Sequence, residues 1–198
     1  MKRLLLIFIS LIAMLQSTIF AQSIADSYTL VYGGPSFFFI EGQDDVADSG
    51  VNGGILYGLN ITNGALPFFL QMGGEFIYEG ADNEDEQVKE RLFCLAAPLN
   101  LSYKLGTRKF NVEPFIGVNF RLNLYGHAEG TGSNSIDVNY FKTDNIHARR
   151  FQFGANLGLN FNIKDFSVGL RFNPDLMDYS KEYNSECIHF LLTMGYIL

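Results

Sequence analysis

Seven charged residues stand where charge is costly. Glu75, Glu79, Lys104, Glu113, Arg121, Arg150 and Arg171 fall on the polar side of stretches that alternate apolar with polar or small residues. Carboxylates set against guanidinium and ammonium groups can do one of two things in such a row. They can lock into ion pairs and hydrogen bonds, or they can line a narrow conducting path. Lys104 and Glu113 lie toward one end of their stretches, Glu75 and Arg171 at intermediate heights, and Glu79, Arg121 and Arg150 toward the other end.

Other groups are weaker candidates for chemistry. His127 lies near Glu129, Ser133 and Ser135, residue types that a hydrolase or acyl-transfer site would use. Their spacing fixes no nucleophile beside a base. His147 stands in the same polar region, and His189 is expected at the loop-side rim of the last strand. Cys94 and Cys187 are expected to face inward from opposite walls, too far apart for a bridge. No CxxC, HExxH, phosphate-binding loop or dinucleotide fingerprint is present, so no catalytic residue, cofactor site or metal centre is assigned.

The elements that must position the charges are strands. In Arg150 to Asn173, Phe151, Phe153, Ala155, Leu157, Leu159, Phe161 and Ile163 alternate with Gln152, Gly154, Asn156, Gly158, Asn160 and Asn162. After Lys164-Asp165 the alternation resumes with Phe166, Val168, Leu170 and Phe172. A period of two places successive side chains on opposite faces of a strand. One side of this hairpin is apolar and the other is a row of Asn, Gln, Gly and Arg, the division expected of a transmembrane barrel strand. The same pattern recurs from Val51 to Ile61, Phe68 to Glu79, Arg91 to Leu105, Phe110 to Tyr125 and Phe190 to Leu198. A first strand from Ser27 sets Tyr28, Leu30 and Tyr32 against Thr29, Val31 and Gly33, and Gly33-Gly34-Pro35 then interrupts it and leaves the facing of Ser36 to Ile40 open. That predicts eight strands, with Tyr125 on the polar side of the fifth.

The connections after the second, fourth and sixth strands are short and the others long. Short periplasmic turns alternating with long external loops produce this series, and an even strand count puts both termini on the periplasmic side. An eight-stranded ring is only wide enough for its own side chains. The seven charges are therefore expected to seal the lumen as a plug. The long loops, Glu41 to Gly50, Gly80 to Glu90, Gly126 to Ala148 and Pro174 to Glu186, hold sixteen acids against three bases. Oxygen-rich loops can collect Ca²⁺ or Mg²⁺, but none has EF-hand spacing. A solvated, acidic surface that meets a protein partner is the plainer expectation.

Met1-Lys2-Arg3, the apolar run from Leu4 to Leu15 and the small residues up to Ala21 have the three parts of an export signal, with cleavage expected between Ala21 and Gln22. Residues 1–21 are thus read as a leader and 22–198 as one barrel domain. The chain has no Trp, but 19 Phe and 10 Tyr are enough to build interfacial girdles. A formal charge of −7 argues against a nucleic-acid partner.

With these residues in view, the chain resembles the PorT-like family of outer-membrane β-barrel proteins found in Bacteroidetes-type bacteria. The resemblance rests on Pro98-Leu99-Asn100-Leu101-Ser102-Tyr103, Pro114-Phe115-Ile116-Gly117, Gly154, Gly158 and the closing Gly195-Tyr196. It implies an all-β, eight-stranded antiparallel up-and-down barrel in the outer membrane of a Gram-negative cell, with the lipid bilayer as its surroundings. Some relatives are accessories of protein secretion and most have no assigned activity. The expected function is therefore a non-enzymatic barrel with a structural or loop-mediated binding role. The alternatives are a secretion accessory and a lipid-modifying or hydrolytic barrel.

Overall fold

The computed structural model describes residues 27–40, 48–62, 66–83, 88–130, 137–139, 141, 149–177 and 187–198. Eight long strands follow in chain order: β1 (Tyr28–Ile40), β2 (Asp48–Asn60), β3 (Phe68–Asn83), β4 (Val88–Tyr103), β5 (Phe110–Gly130), β6 (Phe151–Ile163), β7 (Phe166–Pro174) and β8 (Cys187–Ile197). Each pairs antiparallel with its sequence neighbour, and β1 pairs with β8, as in Leu30 opposite Ile197 and Ser36 opposite Leu191. The ring is closed. Closure satisfies the backbone without leaving an open edge, the condition for crossing a bilayer with strands. Two short segments, Leu105–Gly106 and Asp137–Asn139, add pairs at the two ends of β5.

Alternation turns the apolar rows outward. Ile55, Tyr57, Phe76, Leu99, Leu101, Ile116, Leu170 and Met194 are exposed, while Gln71, Asn100, Asn156, Asn160 and Thr193 are buried inside. An inside-out distribution of this kind is stable only where lipid covers the outer face. Outward aromatic contacts gather at both ends of the wall. Phe68–Tyr103 and Phe166–Tyr196 lie toward the short turns, with centroids 4.6 and 5.4 Å apart. Phe39–Phe190 and Phe120–Phe153 lie toward the long loops, at 5.6 and 5.3 Å. They are the expected girdles.

The strands run further than the alternation of apolar residues predicts. β3 continues to Asn83, β4 starts at Val88 and β5 continues to Gly130, with Val88 opposite Gly130. Beyond the lipid a wall needs no apolar face, so its pattern looks like loop. A second correction concerns Tyr125. The register shifts at Phe93/Cys94, which pair with Tyr125 and Asn123 respectively. Leu124 is thereby an extra residue, the parity inverts, and Tyr125 turns outward while Gly126 and Ala128 turn in.

The turns follow local chemistry. Gly106 adopts φ 131°, which a side chain would resist, at the junction of β4 and β5. Lys164 opens the two-residue turn between β6 and β7 at φ 53°, the left-handed conformation that tight hairpins need. The leader region 1–21, much of the acidic loops that could collect Ca²⁺ or Mg²⁺, and His147, Ser133 and Ser135 lie outside the described residues.

Candidate functional site

The lumen is built in three layers, each carried by the inward parity of several strands. At the short-turn end, Glu113 of β5 is the centre. Its Oε1 accepts hydrogen bonds from Tyr28 Oη at 2.7 Å, Ser102 Oγ at 2.7 Å and Gln71 Nε2 at 3.1 Å. Its Oε2 accepts from Asn162 Nδ2 at 3.2 Å. Four neutral donors from β1, β3, β4 and β6 thus converge on one carboxyl. Lys104 does not reach it head-on but lies over the Tyr28 ring, with Nζ 3.4 Å from the centroid. A cation on the face of a phenol whose hydroxyl holds a carboxylate is favourable at both ends.

Above it, Arg171 of β7 crosses the lumen. Its Nη1 donates to Tyr32 Oη at 3.1 Å and approaches Glu75 Oε2 at 3.4 Å, and its guanidinium lies 4.2 Å from the Tyr32 ring centre. An amide chain runs beside it. Asn156 Nδ2 donates to Asn100 Oδ1 at 2.8 Å, and Asn100 Nδ2 to Gln71 Oε1 at 3.2 Å, which ties this layer to the one below.

The layer at the long-loop end is centred on Arg121 of β5. Its Nη2 donates to Asp175 Oδ2, its Nε to Gln152 Oε1 at 2.9 Å, and its Nη1 contacts His189 Nε2. A guanidinium can only donate, so His189 Nε2 is the acceptor and its Nδ1–H points to Glu79 Oε1, 2.9 Å away. The imidazole is a neutral link between a carboxylate and a guanidinium. Phe38 covers it, with ring centres 4.8 Å apart. Cys94 Sγ lies 2.9 Å from Asn123 Oδ1, and neither Cys94 nor Cys187 is bridged.

Six of the seven predicted lumen charges are therefore inside: Glu75, Glu79, Lys104, Glu113, Arg121 and Arg171 are all buried. Arg150 is not. It precedes β6, is exposed, and lays its guanidinium 4.8 Å over the Phe141 ring. Its backbone carbonyl accepts from Asn123 N, so the main chain already lies against β5 while the side chain stays outside the lumen. His189, expected at the rim, is fully buried instead.

Three members of the layer at the long-loop end were not assigned from sequence. Asp175 extends the inward row Ser167, Gly169, Arg171, Asn173 by one step, and His189 extends Leu191 and Thr193 in the same way. Parity carried two residues further would have found both. Gln152 was placed on the polar row without a partner; its role depends on β5 standing opposite β6 with Arg121 facing Gln152.

Chemically, the described interior sets buried carboxyls against buried cations, with one carboxyl in excess. Four carboxyls, Glu75, Glu79, Glu113 and Asp175, face three cations, Lys104, Arg121 and Arg171, and all are nearly inaccessible. Among the described residues no three His, Cys, Asp or Glu side chains are placed to hold a metal. His127, on β5, has Nε2 3.6 Å from Asp137 Oδ1 on the exposed tip of the wall.

Similarity to known proteins agrees with this architecture. Ail, the attachment invasion locus protein of Yersinia pestis, superposes with a TM-score of 0.52 at 13% identity over 87% of this chain and 97% of Ail. Neisserial surface protein A gives 0.49 at 10% identity, over 86% and 96%. The outer membrane enzyme PagL gives 0.48 at 12%, over 86% and 99%. At 13% identity the likeness to Ail is one of fold. No curated protein matches the chain in sequence. The profile of the outer membrane protein beta-barrel domain, in contrast, matches residues 20–181, and the chain belongs to that family.

Proposed function

We propose that this outer-membrane protein is a sealed barrel that works through its loops, not a pore. The observation that carries the reading is the three-layer network centred on Glu113, Arg171 and Arg121, in which the charged groups of the lumen are held by neutral donors or by one another. In a ring just wide enough for its own side chains, such layers leave no continuous aqueous path. The alternation of short turns and long loops supports the short turns and both termini lying in the periplasm after removal of residues 1–21. The loops then present a surface rich in acids to a partner outside or within the envelope. Proteoliposomes containing the purified protein should not swell in iso-osmotic arabinose, and swelling at porin-like rates would overturn the reading.

The resemblance to PorT-like proteins favours a partner among the components of an outer-membrane secretion system. Mild crosslinking in cells followed by detergent extraction should then recover a secretion component. Unimpaired secretion in a deletion strain would remove that role while leaving the sealed barrel untouched.

A further inference from the structure

We infer that the two turns joining β4 to β5 and β6 to β7 form one cationic site for the headgroup of an anionic phospholipid. The inference rests on the reading that short turns reach the inner leaflet. The turns are stitched together, because Lys164 N donates to Lys109 O at 2.9 Å just below the pair Phe110–Ile163. Lys109 and Lys164 therefore leave the barrel side by side, and both side chains are exposed. Arg108, also exposed, adds charge beside them, and Asp165 is the one acid on the two turns. The third short turn is different. Its described residues, Ile61, Thr62, Leu66 and Pro67, carry no charge.

What covers this patch is fixed by what adjoins it. Phe110, Ile163 and Phe166 are more than half exposed, and Tyr196 packs edge-on against Phe166 at 5.4 Å. Apolar side chains this open belong among acyl chains, with the phenol of Tyr196 at the interface. The next level outward is that of the lipid phosphates, and there stand two ammonium groups on long, flexible stems. A phosphate with acyl chains attached fits both halves of the surface at once. A free anion would use only the lysines, and a glycan polymer would leave the collar bare. A zwitterionic headgroup would bring its own cation against Lys109 and Lys164.

The site is tested by native mass spectrometry of the full protein released from nanodiscs of equimolar phosphatidylglycerol and phosphatidylcholine. Each surface cation near an anionic bilayer strengthens attraction about fivefold, so phosphatidylglycerol should be retained in at least about that excess. Lys109→Gln with Lys164→Gln should bring the ratio close to parity, while Lys109→Arg with Lys164→Arg should preserve it. The heat-dependent gel shift of each variant reports that it has folded. No preference in the natural chain, or a preference that survives the double Gln variant, would overturn the site. So would an unchanged lipid ratio accompanied by lost sedimentation with peptidoglycan. Orientation is read separately by Thr107→Cys and a membrane-impermeant maleimide, since Cys94 and Cys187 are buried. Labelling only after outer-membrane permeabilisation is expected. Labelling of intact cells would overturn the inner-leaflet assignment, whatever the lipid ratio.

Discussion

The two ends of the lumen solve the same problem by different means. Near the short turns a single carboxyl, Glu113, is held by four neutral donors, three on Oε1 and one on Oε2. Near the loops, Glu79 and Asp175 are held through His189 and Arg121. The first arrangement surrounds a charge with dipoles, so the loss of any one donor leaves others. The second links charges in series, so the central cation has no substitute. The difference also marks where the chain is anchored. Asp175 stands just past the end of β7, where its N–H donates to Cys187 O at 2.8 Å, so Arg121 ties the base of the last long loop to β5, two strands away. The loop end is fastened by charge, the turn end by hydrogen bonds.

The comparison is broken most directly at Arg121. Arg121→Met retains much of the apolar stem but strands the buried Asp175 carboxylate, His189 Nε2 and the Gln152 carbonyl. Unpairing buried charges of this kind costs roughly 3–5 kcal/mol. Reversible urea unfolding in lipid vesicles should show the whole loss, and a change below about 1 kcal/mol would mean the layer is not coupled as described. Glu113→Gln should cost less, about 1.5–3 kcal/mol, since shape is kept, Oε1 still accepts from its three donors and only the Asn162 donor is left facing an amide NH2. A loss equal to that of Arg121→Met would erase the distinction between the two ends.

Smaller changes sharpen the contrast. Tyr28→Phe removes one of the four donors to Glu113, and also the acceptor of a 2.8 Å bond from Gln71. About 1 kcal/mol is expected, because three donors remain. Arg150→Gln should stay within about 0.5 kcal/mol by the same unfolding assay, as an exposed residue outside the network should. A larger loss would return Arg150 to the lumen where its sequence position first placed it.

The pattern of legibility follows from what a period of two can and cannot say. The rows of β3, β5 and β7 were readable because one face meets lipid, and so the heights of Glu75, Glu79, Glu113, Arg121 and Arg171 could be ordered. Glu75 and Arg171, placed at a common intermediate level, do meet. Partners were not readable, because they depend on the stagger between strands. Tyr28 is the clearest case. Its alternation with Val31 and Gly33 left open which row faced in, and only the pairing of β1 with β2 and β8 turns it toward Glu113. Tyr125 was misplaced by a single extra residue in the wall. Above the membrane the apolar signal ends, which hid the upper parts of β3, β4 and β5.

The central claim, that the lumen is closed by its own side chains, is tested most directly by single-channel recording of the refolded protein in a planar bilayer. The account predicts no resolved conductance steps from the natural chain at moderate voltage. Stable, reproducible open levels from the natural protein, abolished when it is heat-denatured before addition, would contradict it.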